Sequence, residues 1–239
     1  MTLAQFETLV HSRRSVRDFR PDPVPPELLE RLLNAARWAP SGYNLQPTHV
    51  TVVSDPGLKQ RLHAACLSQR QVLAAPLVTV FSGDGHAYRN LPAVLAEDLA
   101  AGATSPQYAA RLSSLVPLAF ERGPVGLGWL WKALLPPVRR LFCPTPCLPA
   151  VYRREWLTRQ VMLSAMNFML AAHAARLSTV PMEGFDEGRV RRVVGLPRRH
   201  VICVIIPLGY AKEADLRKTR LPLERMVHYE GWKAGASPR

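Results

Sequence analysis

The sequence predicts an α+β sandwich formed by one domain. Three observations carry that expectation. Runs rich in β-branched residues at 48–54, 77–82 and 201–208 read as strands. Segments with apolar residues at helical spacing separate them. The two kinds do not alternate one for one, which argues against a doubly wound parallel sheet. A chain of 239 residues, 48% of them hydrophobic, is long enough and apolar enough to bury one sizeable core.

Taken in order, residues 2–11 read as a short helix, followed by an arginine cluster at 13–20 and the turn PDPVPP. Pro26 fits the first turn of the next helix, where a missing N–H does no harm. Leu28, Leu29, Leu32, Leu33 and Ala36 give that helix one apolar face, and Pro40 stops it. Residues 55–66 read as a helix. Residues 156–177 read as a long helix, apolar nearly all round and therefore buried. Residues 189–194 read as a short surface helix. The segment 104–150 stands apart, with eight prolines, three glycines, Trp129, Trp131 and the pair Cys143 and Cys147. Long irregular segments in compact domains are usually functional or disordered. A lid, a partner-facing arm and a flap that touches a membrane all fit it.

Charge narrows the partners. Lys and Arg number 31 against 18 Asp and Glu, a net charge of +13. Such an excess favours phosphorylated cofactors, nucleic acid or acidic membrane surfaces, or simply gives a basic, soluble surface. No helix-turn-helix or zinc-finger pattern supports nucleic acid, and aromatic residues do not interleave with the basic ones. Across 121–160, seven basic residues face Glu121 and Glu155, and the Trp- and Leu-rich stretch 126–135 lies among them. That combination suits a weak contact with anionic lipid. A lid is favoured instead, because Pro136, Pro137, Pro144, Pro146 and Pro149 are expected to break any long amphipathic helix. Cys143 and Cys147 lack a second pair or a nearby His to complete a zinc set, so a reversible disulfide fits better and no metal site is expected. The opening MTLAQFETLVHSRRS lacks the apolar core of a signal peptide, which leads to the expectation of a reducing, cytoplasmic setting. The apolar run 161–175 is too short to span a bilayer and contains Asn167 and His173.

Two segments offer ligand chemistry. Arg13, Arg14, Ser15 and Arg17 place three guanidinium groups and a hydroxyl close together, the residue types that grip phosphate. Pro40, Ser41, Gly42 and Asn44 lie between a helix and a strand, where Gly42 lets backbone approach a ligand. The same residues also suit a plain turn. Neither a GxGxxG fingerprint nor a GxxxxGK[ST] loop is present.

RRSVRDF followed by APSGYNLQPTHV resembles the paired opening motifs of the FMN-dependent nitroreductase family. Pro181-Met182-Glu183-Gly184-Phe185-Asp186, with Gly195-Leu196-Pro197 after it, resembles that family's PxEGFD…LGLP block. Leu208-Gly209-Tyr210, followed by Lys218-Thr219-Arg220-Leu221-Pro222, resembles its closing strand and basic phosphate contact. The four motifs anchor residues 1–82 and 155–232.

The resemblance implies a nitroreductase-like sandwich spanning 1–239, with a mainly antiparallel sheet, a variable insert at 104–150 and an intertwined homodimer. Arg13, Arg14, Ser15 and Arg17 would hold the FMN phosphate, ribityl chain and pyrimidine edge. Pro40, Ser41 and Asn44 would approach the ring from the partner subunit. Pro181, Met182, Glu183 and Gly184 would line it near N5, with Glu183 the nearest candidate for a role in the chemistry. Lys218 and Arg220 would return to the phosphate. NAD(P)H would pass hydride to flavin N5, leave, and give way to a nitroaromatic, quinone or similar small acceptor, a ping-pong sequence. A flavin-fragmenting or dehalogenating specialist is the alternative within the same superfamily, and a non-enzymatic basic module the alternative outside it. Since the cofactor carries the chemistry, His63, His86, His173 and His200 are assigned no catalytic role. Where the family pattern places an Asn and a Lys before the second strand, this chain has Ser68 and Gln71. Gln71 can donate a hydrogen bond to the flavin but brings no charge, and Arg17 is the expected substitute.

Overall fold

The computed structural model describes residues 1–121, 128–144, 147–212 and 217–232, with backbone only at 128, 129 and 135–137. Among the described residues, four antiparallel strands form one sheet in the order β1-β2-β4-β3: β1 (Thr48–Val53), β2 (Leu77–Asp84), β3 (Ser178–Thr179) and β4 (His200–Gly209). The three long strands are those the β-branched runs predict. β3, two residues long, is too short to leave such a pattern.

Helices cover both faces. Helix α1 (Leu3–Ser12) opens with a Thr2/Gln5 capping box, which satisfies two backbone donors. Helix α2 (Pro26–Arg37) starts on its proline and buries Leu32 and Ala36. They pack with Phe81, Val204 and Ile206 of the sheet and with Val161, Ala165, Phe168 and Ala172 of α8 (Arg153–Ala174). On the opposite face, Leu62 and Ala65 of α3 (Pro56–Ala65) and Val190 of α9 (Glu187–Val194) close over Val78, Val80 and Ile205. Asp186 caps α9 by accepting from Arg189 N–H, and Gly195 ends it at φ 68°, where a Cβ would be strained. The one-turn helix α4 (Gln71–Ala74) leads into β2.

The segment 104–150 departs from expectation. It is largely helical: α6 (Pro106–Phe120) follows α5 (Leu91–Ala100), and α7 (Gly128–Arg139) follows α6. Ser105 caps α6 by accepting from Tyr108 N–H, and Leu112, Val116 and Phe120 pack with Leu91, Leu95 and Leu45. The proline pair 136–137 lies in the last turn of α7, which stops two residues later instead of being broken. Gly126, Leu127 and Pro146, singled out from the sequence, lie outside the described residues. Cys143 and Cys147 are free thiols.

Helix α8 also differs. Leu157, Val161, Phe168 and Ala172 are buried, but Leu163 and Met166 on its outer stripe are 45% and 39% exposed. A helix that reads as apolar all round is thus buried on one side of the single chain only. Among the described residues, no helix is long and apolar enough to cross a membrane.

Candidate functional site

Helix α1 ends at Ser12, and Arg13 turns into extended backbone. From there the chain is stitched to the end of the sheet. Ser15 bridges Thr179 in parallel, Val16 N–H donates to the Thr179 carbonyl at 3.2 Å, and Arg20 N–H donates to the Tyr210 carbonyl at 2.9 Å. Val16 and Phe19 are buried anchors in the core. The pinned backbone aims the arginines of this stretch into a cavity of about 540 Å³.

Arg13, Arg14 and Arg17 line that cavity with Ser15, and Lys218 and Arg220 join them from the C-terminal arm. Lys218 ties the arm to α1 by donating from Nζ to the Val10 carbonyl at 2.9 Å and the Arg13 carbonyl at 3.4 Å. Arg70, just before α4, and Arg217 complete a wall that, among the described residues, holds seven cations and one carboxylate, Asp18. Asp18 accepts from Arg70 at 2.8 Å.

The electrostatics among the described residues favour an anionic ligand. Burial, then Arg220 and Arg14, hold the Arg13 guanidinium below its ordinary pKa. Burial, then Arg220, Arg13 and Arg14, do the same to Lys218. Arg13 Nη1 is buried with no hydrogen-bond acceptor among the described residues. A buried charged donor without an acceptor is costly, so the position suits a ligand oxygen. An anionic phosphate would relieve all three features at once.

A second strip lies next to the cradle. Gln71 is buried and donates to Gln69 Oε1 at 2.9 Å, and Gln69 Nε2 donates to the Gly184 carbonyl at 2.7 Å. A Cβ at Gly184 would stand 3.1 Å from that Nε2, so glycine permits the close approach. Met182 is buried and exchanges backbone hydrogen bonds with Ile205, which fixes Pro181–Gly184 beside the sheet and leaves Glu183 exposed.

The remaining predicted residues sit elsewhere in the chain. Ser41 lines a separate pocket with Arg37, Gln46, Thr48 and Ser164, which shares no residue with the cradle. Asn44 Nδ2 donates to Asp98 at 3.2 Å, and Pro40 is exposed. A single protomer therefore joins 13–17 with 217–220 but not with Pro40, Ser41 and Asn44. Two loops are strained. Of seven described non-glycine residues at positive φ, five fall in these loops: Tyr43, Asn44 and Gln46 in the remote one, Leu67 and Ser68 in the one that leads to Arg70 and α4. Strain of this kind persists where the surroundings impose it, often at ligand sites.

Sequence reasoning missed Arg70, Arg217 and Asp18. Arg70 is adjacent to Gln71, so a cation does stand one position from the expected lysine. Nothing in local spacing shows that it reaches the cavity of Arg13.

An antiparallel α+β sheet with a counter-ion-poor cationic cradle at one end defines a protein that holds an anionic ligand. The chain belongs to the nitroreductase family, whose model matches residues 10–210, and it is an oxidoreductase of that family. It is 34% identical over 221 residues to a Thermus thermophilus protein named NADH dehydrogenase, covering 92% of this chain and 94% of the relative. A candidate nitroreductase from Bacillus subtilis superposes with a TM-score of 0.76 at 26% identity, covering 95% of this chain and 100% of that one. A second, from Exiguobacterium sibiricum and solved in complex with FMN, has a TM-score of 0.71 at 23% identity, covering 98% and 99%, and supports the fold.

Proposed function

We propose that the chain is an FMN-dependent oxidoreductase that draws reducing equivalents from NAD(P)H and passes them to a nitroaromatic, quinone or similar small acceptor. The observation that carries this reading is the cradle itself: among the described residues, seven cations, one carboxylate and a buried Arg13 Nη1 with no acceptor. When bound, FMN supplies two-electron chemistry at N5, accepting hydride from the nicotinamide and returning it to the acceptor. Arg13, Arg14, Ser15, Arg17, Lys218 and Arg220 hold the phosphate and the adjoining polar chain. Gln71 and Pro181–Gly184 face the ring, and Gln71 offers a neutral donor where negative charge gathers on reduction. The cradle draws on residues 13–17 and 217–220, near opposite ends of the chain, which supports one cofactor-binding domain over 1–239.

The separation of Pro40, Ser41 and Asn44 from the cradle supports a homodimer in which those residues come from the partner. So do the exposed apolar Leu163 and Met166 on α8 and Leu221, Leu223, Met226 and Trp232 in the arm. Anaerobic addition of NADH or NADPH should bleach the yellow protein, and a quinone or nitroaromatic should restore the colour. Flavin that stays oxidised with both nicotinamides contradicts the reading.

A further inference from the structure

Away from the cradle, the register of the sheet gathers four polar residues at one end. β1 and β2 pair His49 with Ser82, and β2 and β4 pair Asp84 with His200. The second pairing depends on an irregularity between Phe81 and Ser82: Phe81 opposes Val204, but Ser82 opposes Ile202, so one residue of β4 is skipped. Without that bulge, Val201 would stand opposite Asp84. Bulges re-aim side chains in this way.

Ser82 holds the His200 ring from one side. Ser82 Oγ lies 3.2 Å from His200 Nδ1 and 3.5 Å from the His49 carbonyl. A carbonyl can only accept, so when Ser82 donates to His49, it is His200 Nδ1–H that donates to Ser82, and the lone pair is on Nε2. Nε2 faces Asp84 Oδ2 at 3.8 Å. The His49 ring completes the group, its centroid 4.9 Å from that of His200. With the lone pair on Nε2, a cation between the imidazole and the carboxylate would bind both.

We propose that His49, Asp84 and His200 bind a first-row divalent transition cation such as Zn²⁺, which ties β1, β2 and β4 together. Their ligand atoms all lie within 4.8 Å of one another. Tetrahedral zinc, with bonds of about 2.1 Å, holds its ligands roughly 3.4 Å apart. A rotamer change of the exposed His49 closes that gap and leaves a fourth position for water. His200 is buried and Ser82 fixes it from behind, the outer-shell support that metal-binding histidines commonly have. The competing cation is Arg199, whose Nε lies 3.0 Å from each oxygen of Asp84. The Asp84 side chain is only 15% exposed, but that of Arg199 is 47% exposed and can swing out into solvent to make way for a metal ion. Arg191 is occupied by the His200 carbonyl, to which it donates at 2.7 Å, and by Glu187.

Isothermal titration of the chelator-treated, flavin-loaded protein with Zn²⁺ tests the site. One Zn²⁺ per chain is expected, with a raised melting temperature. His49→Ala, an exposed change that should leave FMN content intact, should weaken binding at least tenfold, and Asp84→Asn should do the same. Arg199→Ala should tighten it by removing the competitor. Absence of zinc binding, or equal binding by wild type and His49→Ala, overturns the proposal.

Discussion

The cradle and the α6–α7 hairpin are both basic and both hold a buried cation, but they solve the charge problem in opposite ways. In the hairpin, Lys132 is 4% exposed and donates to the Leu118 carbonyl and, at 2.6 Å, to the Glu121 carbonyl. Those carbonyls belong to the end of α6, where backbone acceptors lack helical partners and favour positive charge. Burial lowers the Lys132 pKa, and Glu121 partly offsets this. Arg139 and Arg140 stay exposed among Leu134, Val138, Leu141 and Phe142. In the cradle, among the described residues, seven cations converge on one carboxylate and Arg13 Nη1 finds no acceptor. Lys132, enclosed by helix-end carbonyls, is structural. Arg13, set among other cations with Nη1 unpaired among the described residues, implies a ligand.

The largest effect expected from this contrast is at Arg13. Arg13→Ala should weaken FMN binding by about 2 kcal/mol or more, roughly thirtyfold in Kd. Flavin-fluorescence titration measures it, and unchanged affinity would detach the orphan donor from the cofactor. Lys132→Met should do the reverse, costing about 1–3 kcal/mol of stability by stranding two carbonyls while FMN content stays the same. Thermal melts alongside flavin analysis separate the two, and flavin loss without a lower Tm would break the comparison.

Within the cradle, Arg17 and Arg70 differ in their partners. Asp18 already neutralises Arg70. Arg17→Gln should therefore lower the flavin reduction potential by tens of millivolts, and Arg70→Gln by less. Equal shifts would mean that the Asp18 pair does not screen Arg70. The smallest effect is expected at His173, 2.7 Å from Ser12. Burial, then Arg13, Arg14 and Lys218, lower its pKa. The unfolded chain therefore takes up this proton first, and stability is lost as pH falls through about 6.5 toward the folded value. His173→Gln should flatten the Tm profile in that window, and a profile as steep as wild type would assign the slope to other groups.

How much the sequence foretold depended on range. β-branched runs marked the three long strands, and Leu32 and Ala36 marked the buried face of α2, because both patterns are local. α6 was also legible locally, since Ser105 caps it and Leu112, Val116 and Phe120 recur every four residues. The surrounding prolines and glycines obscured it. The arginines at 13–17 signalled phosphate only weakly alone and clearly only through family resemblance. Arg70 and Arg217 gave no signal, because they reach the cradle through tertiary packing. The pairing of Asp84 with His200 was equally hidden, since it depends on one skipped residue in a register.

The central claim is that the cradle holds FMN. Acid release from the purified chain, followed by chromatography and phosphorus analysis, tests it most directly. The account predicts FMN at about one per chain, either as isolated or after reconstitution. FAD in its place, or no flavin retained after reconstitution, would contradict it.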